Sequence, residues 1–149
     1  MKSGVKFTRT ASSTLDVGSV ICAAANPRRL KLYDFVVGSD AAPADNPFLW
    51  EIYKRTGAAT AGTAPTLYAL DQSDTIASTI VANQAPTTNG AGGTTPMWGV
   101  PLNQRATFRW VASPGSEFTS PATASNGFAF ATPTSSALAV EAYAMVDEL

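Results

Sequence analysis

Apolar and polar positions alternate with period two in several short stretches, each bounded by Gly, Pro or Asn. Residues 5–9 read Val, Lys, Phe, Thr, Arg, the pattern of a strand with one covered face. Residues 15–22 continue mostly apolar with Gly18 inside, and Asn26-Pro27 turns the chain. Residues 29–37 begin by alternating and end apolar on both faces, which makes Phe35 a core anchor at a deeply covered strand end. The clearest strand is 48–56: Phe48, Trp50 and Ile52 share one face, and Glu51, Tyr53 and Arg55 share the other. Trp50 and Ile52 are therefore core anchors, because large rings at this spacing beside Phe and Ile usually pack.

Further strands are expected over 66–70, 103–112, 127–131 and 138–146, with Ala106, Phe108 and Trp110 facing inward in the second of these. In residues 71–83, Ser73 could cap a helix. The β-branched Thr75, Ile76, Thr79, Ile80 and Val81 favour a strand over 75–82 instead. Residues 41–47, 57–65, 84–96 and 113–126 carry the Pro, Gly, Asn and small residues of exposed loops. The pattern predicts an all-β chain: an antiparallel, jelly-roll-like β-sandwich of about eight or nine strands with long loops. It is read as a single domain over residues 1–149, with an extended N-terminal arm over about 1–13. No period of 20 to 50 residues repeats, which disfavours a propeller or solenoid. An immunoglobulin-type sandwich needs only about 100 residues and a Cys–Trp–Cys pattern that is missing.

Composition sharpens this picture mainly by exclusion. Of 149 residues 45% are apolar and 14% charged, enough apolar material for a core that needs no disulfide or metal. There is no histidine and one cysteine, so His-dependent triads, His-ligated zinc and haem, and Cys-rich metal sites are ruled out. Cys22 lies in the apolar run Val20-Ile21-Cys22-Ala23 and is expected to be a buried, inert thiol. Ten Lys plus Arg against eleven Asp plus Glu leave a net charge of −1, too little field for a nucleic-acid partner. The basic start and the stretch 17–25 imitate a signal peptide, but Gly18, Ser19 and Asp16 spoil the apolar region. No run approaches the roughly 18 apolar residues of a membrane-spanning helix. A soluble protein made in a cytoplasm, with no membrane partner, is expected.

Neither phosphate-binding glycine motif occurs, and Gly90-Ala91-Gly92-Gly93 is expected to be a flexible loop. Glu51 and Glu141 would suit a glycosidase pair only if they faced each other across a cleft; on alternating strands they belong to solvent faces. Asp71 and Asp74 could hold calcium in a loop but lack the full ligand framework. The chain is read as a non-enzyme without cofactor, and its surface becomes the place to look. Lys2, Lys6 and Arg9 precede any acid, whereas the chain closes on Asp147 and Glu148; the two ends are either solvated or form a head-to-tail contact between copies. Arg28 and Arg29, Lys54 with Arg55, and Arg105 with Arg109 supply guanidinium and ammonium groups at strand ends and outer faces. Met97 and Trp98, between Pro96 and Gly99, need cover from another chain or from their own sandwich.

In residues 29–39, 48–56 and 127–149 the chain resembles small jelly-roll virion proteins of tailed bacteriophages, especially head decoration or cement proteins. The likeness lies in Ala/Thr/Gly-rich loops, few charges, no His and the strand Phe48-Leu49-Trp50-Glu51-Ile52-Tyr53. The resemblance implies a homotrimer on the outer surface of an icosahedral head, bound to the major capsid protein and made in the host bacterial cytoplasm. Lys2, Lys6, Arg9, Arg28, Arg29, Met97 and Trp98 are the contact candidates. A carbohydrate- or receptor-binding jelly-roll module of a phage tail or fibre is the second reading, with Trp98, Tyr33 and Tyr53 as sugar-stacking rings.

Overall fold

Two antiparallel sheets pack face to face in the computed structural model, which describes residues 1–75, 79–134 and 137–149. The terminal sheet holds β1 (Lys2–Thr10), β3 (Leu30–Ala41), β5 (Leu67–Ala69), β8 (Phe108–Val111), β9 (Phe118–Ser120) and β11 (Ala139–Glu148). Its order is β5-β1-β11-β3-β8, and β9 also pairs with β3. The second sheet, here the Trp50 sheet, holds β2 (Asp16–Cys22), β4 (Pro47–Arg55), β6 (Ile80–Gln84), β7 (Trp98–Asn103) and β10 (Gly127–Ala131) in the order β6-β2-β10-β4-β7. No helix occurs among the described residues.

Without the short β5 and β9 and the edge strand β6, the sheets reduce to 1-11-3-8 and 2-10-4-7. The chain crosses from one sheet to the other at every step except β4 to β7. That winding of two interlocked Greek keys is a jelly roll. Among the described residues there are eleven strands rather than eight or nine, because three-residue β9 escapes a period-two reading and the run expected over 103–112 is divided between β7 and β8.

The core follows the alternation. Phe7, Phe35, Trp50, Ile52, Phe128 and Phe130 are fully buried, each contributing about 1.5–3 kcal/mol by leaving water. Gly18 is required by this packing, since a side chain there would occupy the Phe7 ring. Phe108 and Trp110, expected as core anchors, are only partly buried. They flank the core: Trp110 stacks between Phe35 (5.1 Å) and Phe118 (4.8 Å), and Phe108 lies 5.6 Å from Trp98.

Several expectations are corrected. The segment read as an N-terminal arm is β1, hydrogen-bonded between β11 and β5 from Lys2 onward. The single strand expected over 103–112 is broken: Asn103 ends β7, its side chain caps the Arg105 amide at 2.9 Å, and β8 restarts at Phe108 in the other sheet. Within the loop expected over 113–126, Phe118–Ser120 pairs with β3. Residues 76–78 of the strand expected over 75–82 lie outside the described residues, and β6 runs Ile80–Gln84.

Candidate interaction surfaces

The outer face of the terminal sheet carries every second residue of its strands. On β1 these are Lys2, Gly4 and Lys6; on β11 they are Glu141, Tyr143, Met145 and Asp147. The register sets Tyr68 beside Gly4, Tyr143 beside Lys6, and Val36 between Tyr143 and Arg109. Gly4 lacks a side chain because the Tyr68 ring lies where a Cβ would project. Tyr68 is close enough to Tyr33 and to Tyr143 for the three phenols to influence one another, and burial is the larger cause raising the Tyr33 and Tyr68 pKa values. Three of the four tyrosines therefore converge on one face.

Charges on this face are paired at its surface. The Lys6 ammonium sits 2.8 Å from Glu141 and 5.5 Å from the centre of the Tyr143 ring. That partnership raises the Lys6 pKa, chiefly through the Glu141 hydrogen bond. At Glu141 partial burial opposes ionisation, but Lys6 and Tyr143 outweigh it and hold the carboxyl below its ordinary range. Lys2 lies 5.3 Å over the Tyr33 ring, and Arg109 forks onto Asp34 at 3.1 and 2.5 Å. In both ion pairs the cation stays exposed over a largely covered carboxylate, and such solvent-facing pairs order a surface more than they stabilise a fold.

The outer face of the Trp50 sheet has a different fate. Arg55 donates to both carboxylate oxygens of Asp16, at 2.9 and 2.5 Å, and both residues are buried. Arg55 lies opposite Gly127, and Asp16 opposite Ala131, so the guanidinium must cross β10 at Ala129. Gly127, Ala129 and Ala131 leave the trough that this crossing needs. Burial pushes the Asp16 carboxyl up, while the Arg55 hydrogen bonds and the charges of Arg55 and Arg9 pull it down, with burial the larger effect. Beside the pair, Tyr53 lies under the Arg55 guanidinium at 5.3 Å and donates its hydroxyl to Glu51. Burial, then the Glu51 hydrogen bond, push the Tyr53 phenol up to about 12.

The segments expected as free loops close over this end of the sheet. Bridges join Arg55 to Gly92, Thr60 to Thr88 and Thr63 to Gln84. Asn89 accepts from the Asp16 amide at 2.7 Å and donates to the Thr14 carbonyl at 2.9 Å. Gly90 abuts the Gly57 carbonyl and Gly92 the Lys54 carbonyl, leaving no room for a side chain at either. The glycine cluster read as flexible serves close backbone approach. A cavity of about 240 Å³ remains at the margin, bordered by Ser12, Thr14, Tyr53, Arg55, Asn89 and Thr94.

The candidate residues are thus dispersed. Lys2 and Lys6 share the terminal face, but Arg9 has the opposite strand parity and donates to the Asp16 and Pro86 carbonyls at 2.8 and 2.9 Å. Arg28 and Arg29 are exposed in the turn before β3. Met97 and Trp98, expected at an exposed tip, are half-buried: Trp98 opens β7 and meets Phe35 edge-on at 4.9 Å. Of the rings expected to stack on sugar, Trp98 is engaged by the core, Tyr53 lies on the Trp50 sheet, and Tyr33 alone lies on the terminal face. Tyr68 and Tyr143 join it there. Their convergence depends on long-range register, which local patterning does not reveal.

Glu51 and Glu141 point from opposite outer faces and cannot flank one glycosidic bond. Asp71 accepts from the Ser73 amide and hydroxyl at 2.9 and 2.6 Å, which commits it to its own turn. Cys22 is buried with its thiol 3.0 Å from the Arg28 carbonyl, and burial pushes its pKa up. No family model, curated protein or solved structure matches this chain.

Proposed function

We propose that this chain is a virion structural protein, a head decoration or cement protein that seats as a homotrimer on the outer surface of an icosahedral phage head. The observation that carries the reading is the terminal sheet. The first and last strands lie side by side in it, and its outer face is broad, aromatic and half-exposed. Five strands at about 4.8 Å spacing make it about 20 Å wide, and ten-residue β11 makes it about 30 Å long. That area is somewhat below the roughly 800 Å² per partner of a standard stable interface. A single copy would bind the major capsid protein weakly, and a rigid oligomer would multiply weak contacts into avid attachment. Jelly rolls build capsid and lectin domains alike, so the fold supports the reading by analogy.

The test is light scattering after size exclusion, followed by sedimentation with heads lacking the chain. A trimer that pellets with the heads is expected; a monomer that stays in the supernatant overturns the proposal. The second reading, a carbohydrate- or receptor-binding module, is favoured by Tyr33, Tyr68 and Tyr143 sharing one face. Saturable binding on a glycan array would select it over the shell protein.

A further inference from the structure

Three acids are buried among the described residues, Asp16, Asp34 and Glu148. Arg55 pairs with the first and Arg109 with the second, whereas Glu148 forms no ion pair among the described residues. Residues 76–78 and 135–136 carry no cationic side chain that could supply one. Glu148 ends the core-facing row of β11, after Val140, Ala142, Ala144 and Val146, and is 3% exposed. One of its carboxyl oxygens accepts from the Thr79 hydroxyl, and the other is buried with no hydrogen-bond partner among the described residues. The Thr79 carbonyl in turn accepts from the Ala23 amide at 2.8 Å, just beyond the end of β2. A carboxyl thus bridges the two sheets at one corner of the sandwich.

Charge decides which form of that carboxyl the corner tolerates. An ionised carboxylate taken from water needs a cation or several donors, and one hydroxyl falls short of that. The neutral acid keeps the Thr79 contact, because a hydroxyl accepts as readily as it donates. The Met1 ammonium and Arg28 favour the ionised form of Glu148, Asp147 beside it opposes ionisation, and the Cys22 thiol of β2 feels its charge in turn. Leu30, its ladder partner on β3, and Thr79 carry no charge. Burial outweighs the two cations and pushes the Glu148 carboxyl up. The backbone offers the charge a way out. Beyond Asp147 this end of β11 is held by the Glu148 amide to Met1, the Met1 ammonium to the Glu148 carbonyl and the Leu149 amide to Arg29, at 2.9, 2.9 and 3.0 Å, and strand ends open most easily. We infer that Glu148 is a pH-responsive latch: neutral, it closes this corner by joining β11 to Thr79; ionised, it leaves the corner and frees the end of β11.

This inference is independent of the capsid reading. Its test is a magnetic-resonance titration of the full chain from about pH 4 to about pH 7, following the Glu148 side-chain carboxyl carbon and the backbone nuclear Overhauser effect at the Glu148 and Leu149 amides. The carboxyl should titrate with a midpoint above the ordinary value of 4.5, and backbone order at both residues should fall through the same midpoint as pH rises. The stability contributed by the neutral form is complete below 4.5 and is lost as pH rises through the folded value. Loss of the Met1–Asp147 ion pair would loosen this end in the opposite direction, on acidification. Glu148→Gln, a neutral side chain of nearly the same shape that leaves Met1, Arg28 and Asp147 in place, should stay ordered across the range. A midpoint at or below 4.5, order that does not change with pH, or a Glu148→Gln chain that follows the native pH response would each overturn the inference. The midpoint and the order of the native chain are read without a variant, so a misfolded Glu148→Gln would not obscure the result.

Discussion

The two outer faces of this sandwich start from the same alternation and end differently. On the terminal sheet, outward residues are long and aromatic, their charges pair at the surface, and the face stays open. On the Trp50 sheet, outward residues of β10 shrink to Gly127, Ala129 and Ala131, a buried Arg55–Asp16 pair lies over them, and the chain's own segments close the end. The lesson is that an outward-facing row is a docking surface only where the rest of the chain leaves it free. One face is available to a partner; the other is part of the protein's stability.

The strongest way to break this contrast is Asp16→Ala. It strands a buried guanidinium and should cost about 3–5 kcal/mol in denaturant unfolding. Replacing both members, Asp16→Val with Arg55→Leu, should recover most of the loss, because well-packed apolar groups often match a buried ion pair. Two losses that simply add would contradict the account. Next in size is Gly90→Ala, which pushes a methyl into the Gly57 carbonyl and should cost about 1–3 kcal/mol. Gly4→Ala on the open face should cost less, since its obstacle is the movable Tyr68 ring.

Much of this architecture was legible from local pattern. Trp50, Ile52 and Phe35 sit in the core where alternation placed them, because period-two burial is a local property. The same parity separates Lys2 and Lys6 from Arg9 and puts Lys54 on the core row. What escaped was non-local or too short. Phe118–Ser120 offers three residues between turn signals, and the Asn103 cap hides a break inside an otherwise alternating run. Gly90 and Gly92 carried a readable signal of close backbone approach, but composition alone suggested flexibility. The grouping of Tyr33, Tyr68 and Tyr143 depends on ladders joining residues far apart in the chain.

Smaller effects sharpen the contrast through titration. Tyr53 belongs to the closed face, and its phenol is held protonated up to about 12. Its raised pKa contributes stability that is fully present below the ordinary value near 10 and is lost as pH rises through about 12. Ultraviolet titration should show Tyr53 as the last tyrosine to ionise, after Tyr33 and Tyr68, and Glu51→Gln should bring it down. The smallest effect is expected on the open face, where Lys6→Ala should leave the melting temperature nearly unchanged.

The most direct test is co-sedimentation with decoration-free heads, comparing the native chain with a Tyr68→Ala, Tyr143→Ala double variant and with Thr88→Ala on the covering segment. The native chain and Thr88→Ala should pellet with the heads, and the tyrosine variant should remain in solution while keeping its fold. Failure of the native chain to pellet, or pelleting of the tyrosine variant alongside it, would contradict the claim that the open face of the terminal sheet is the working surface.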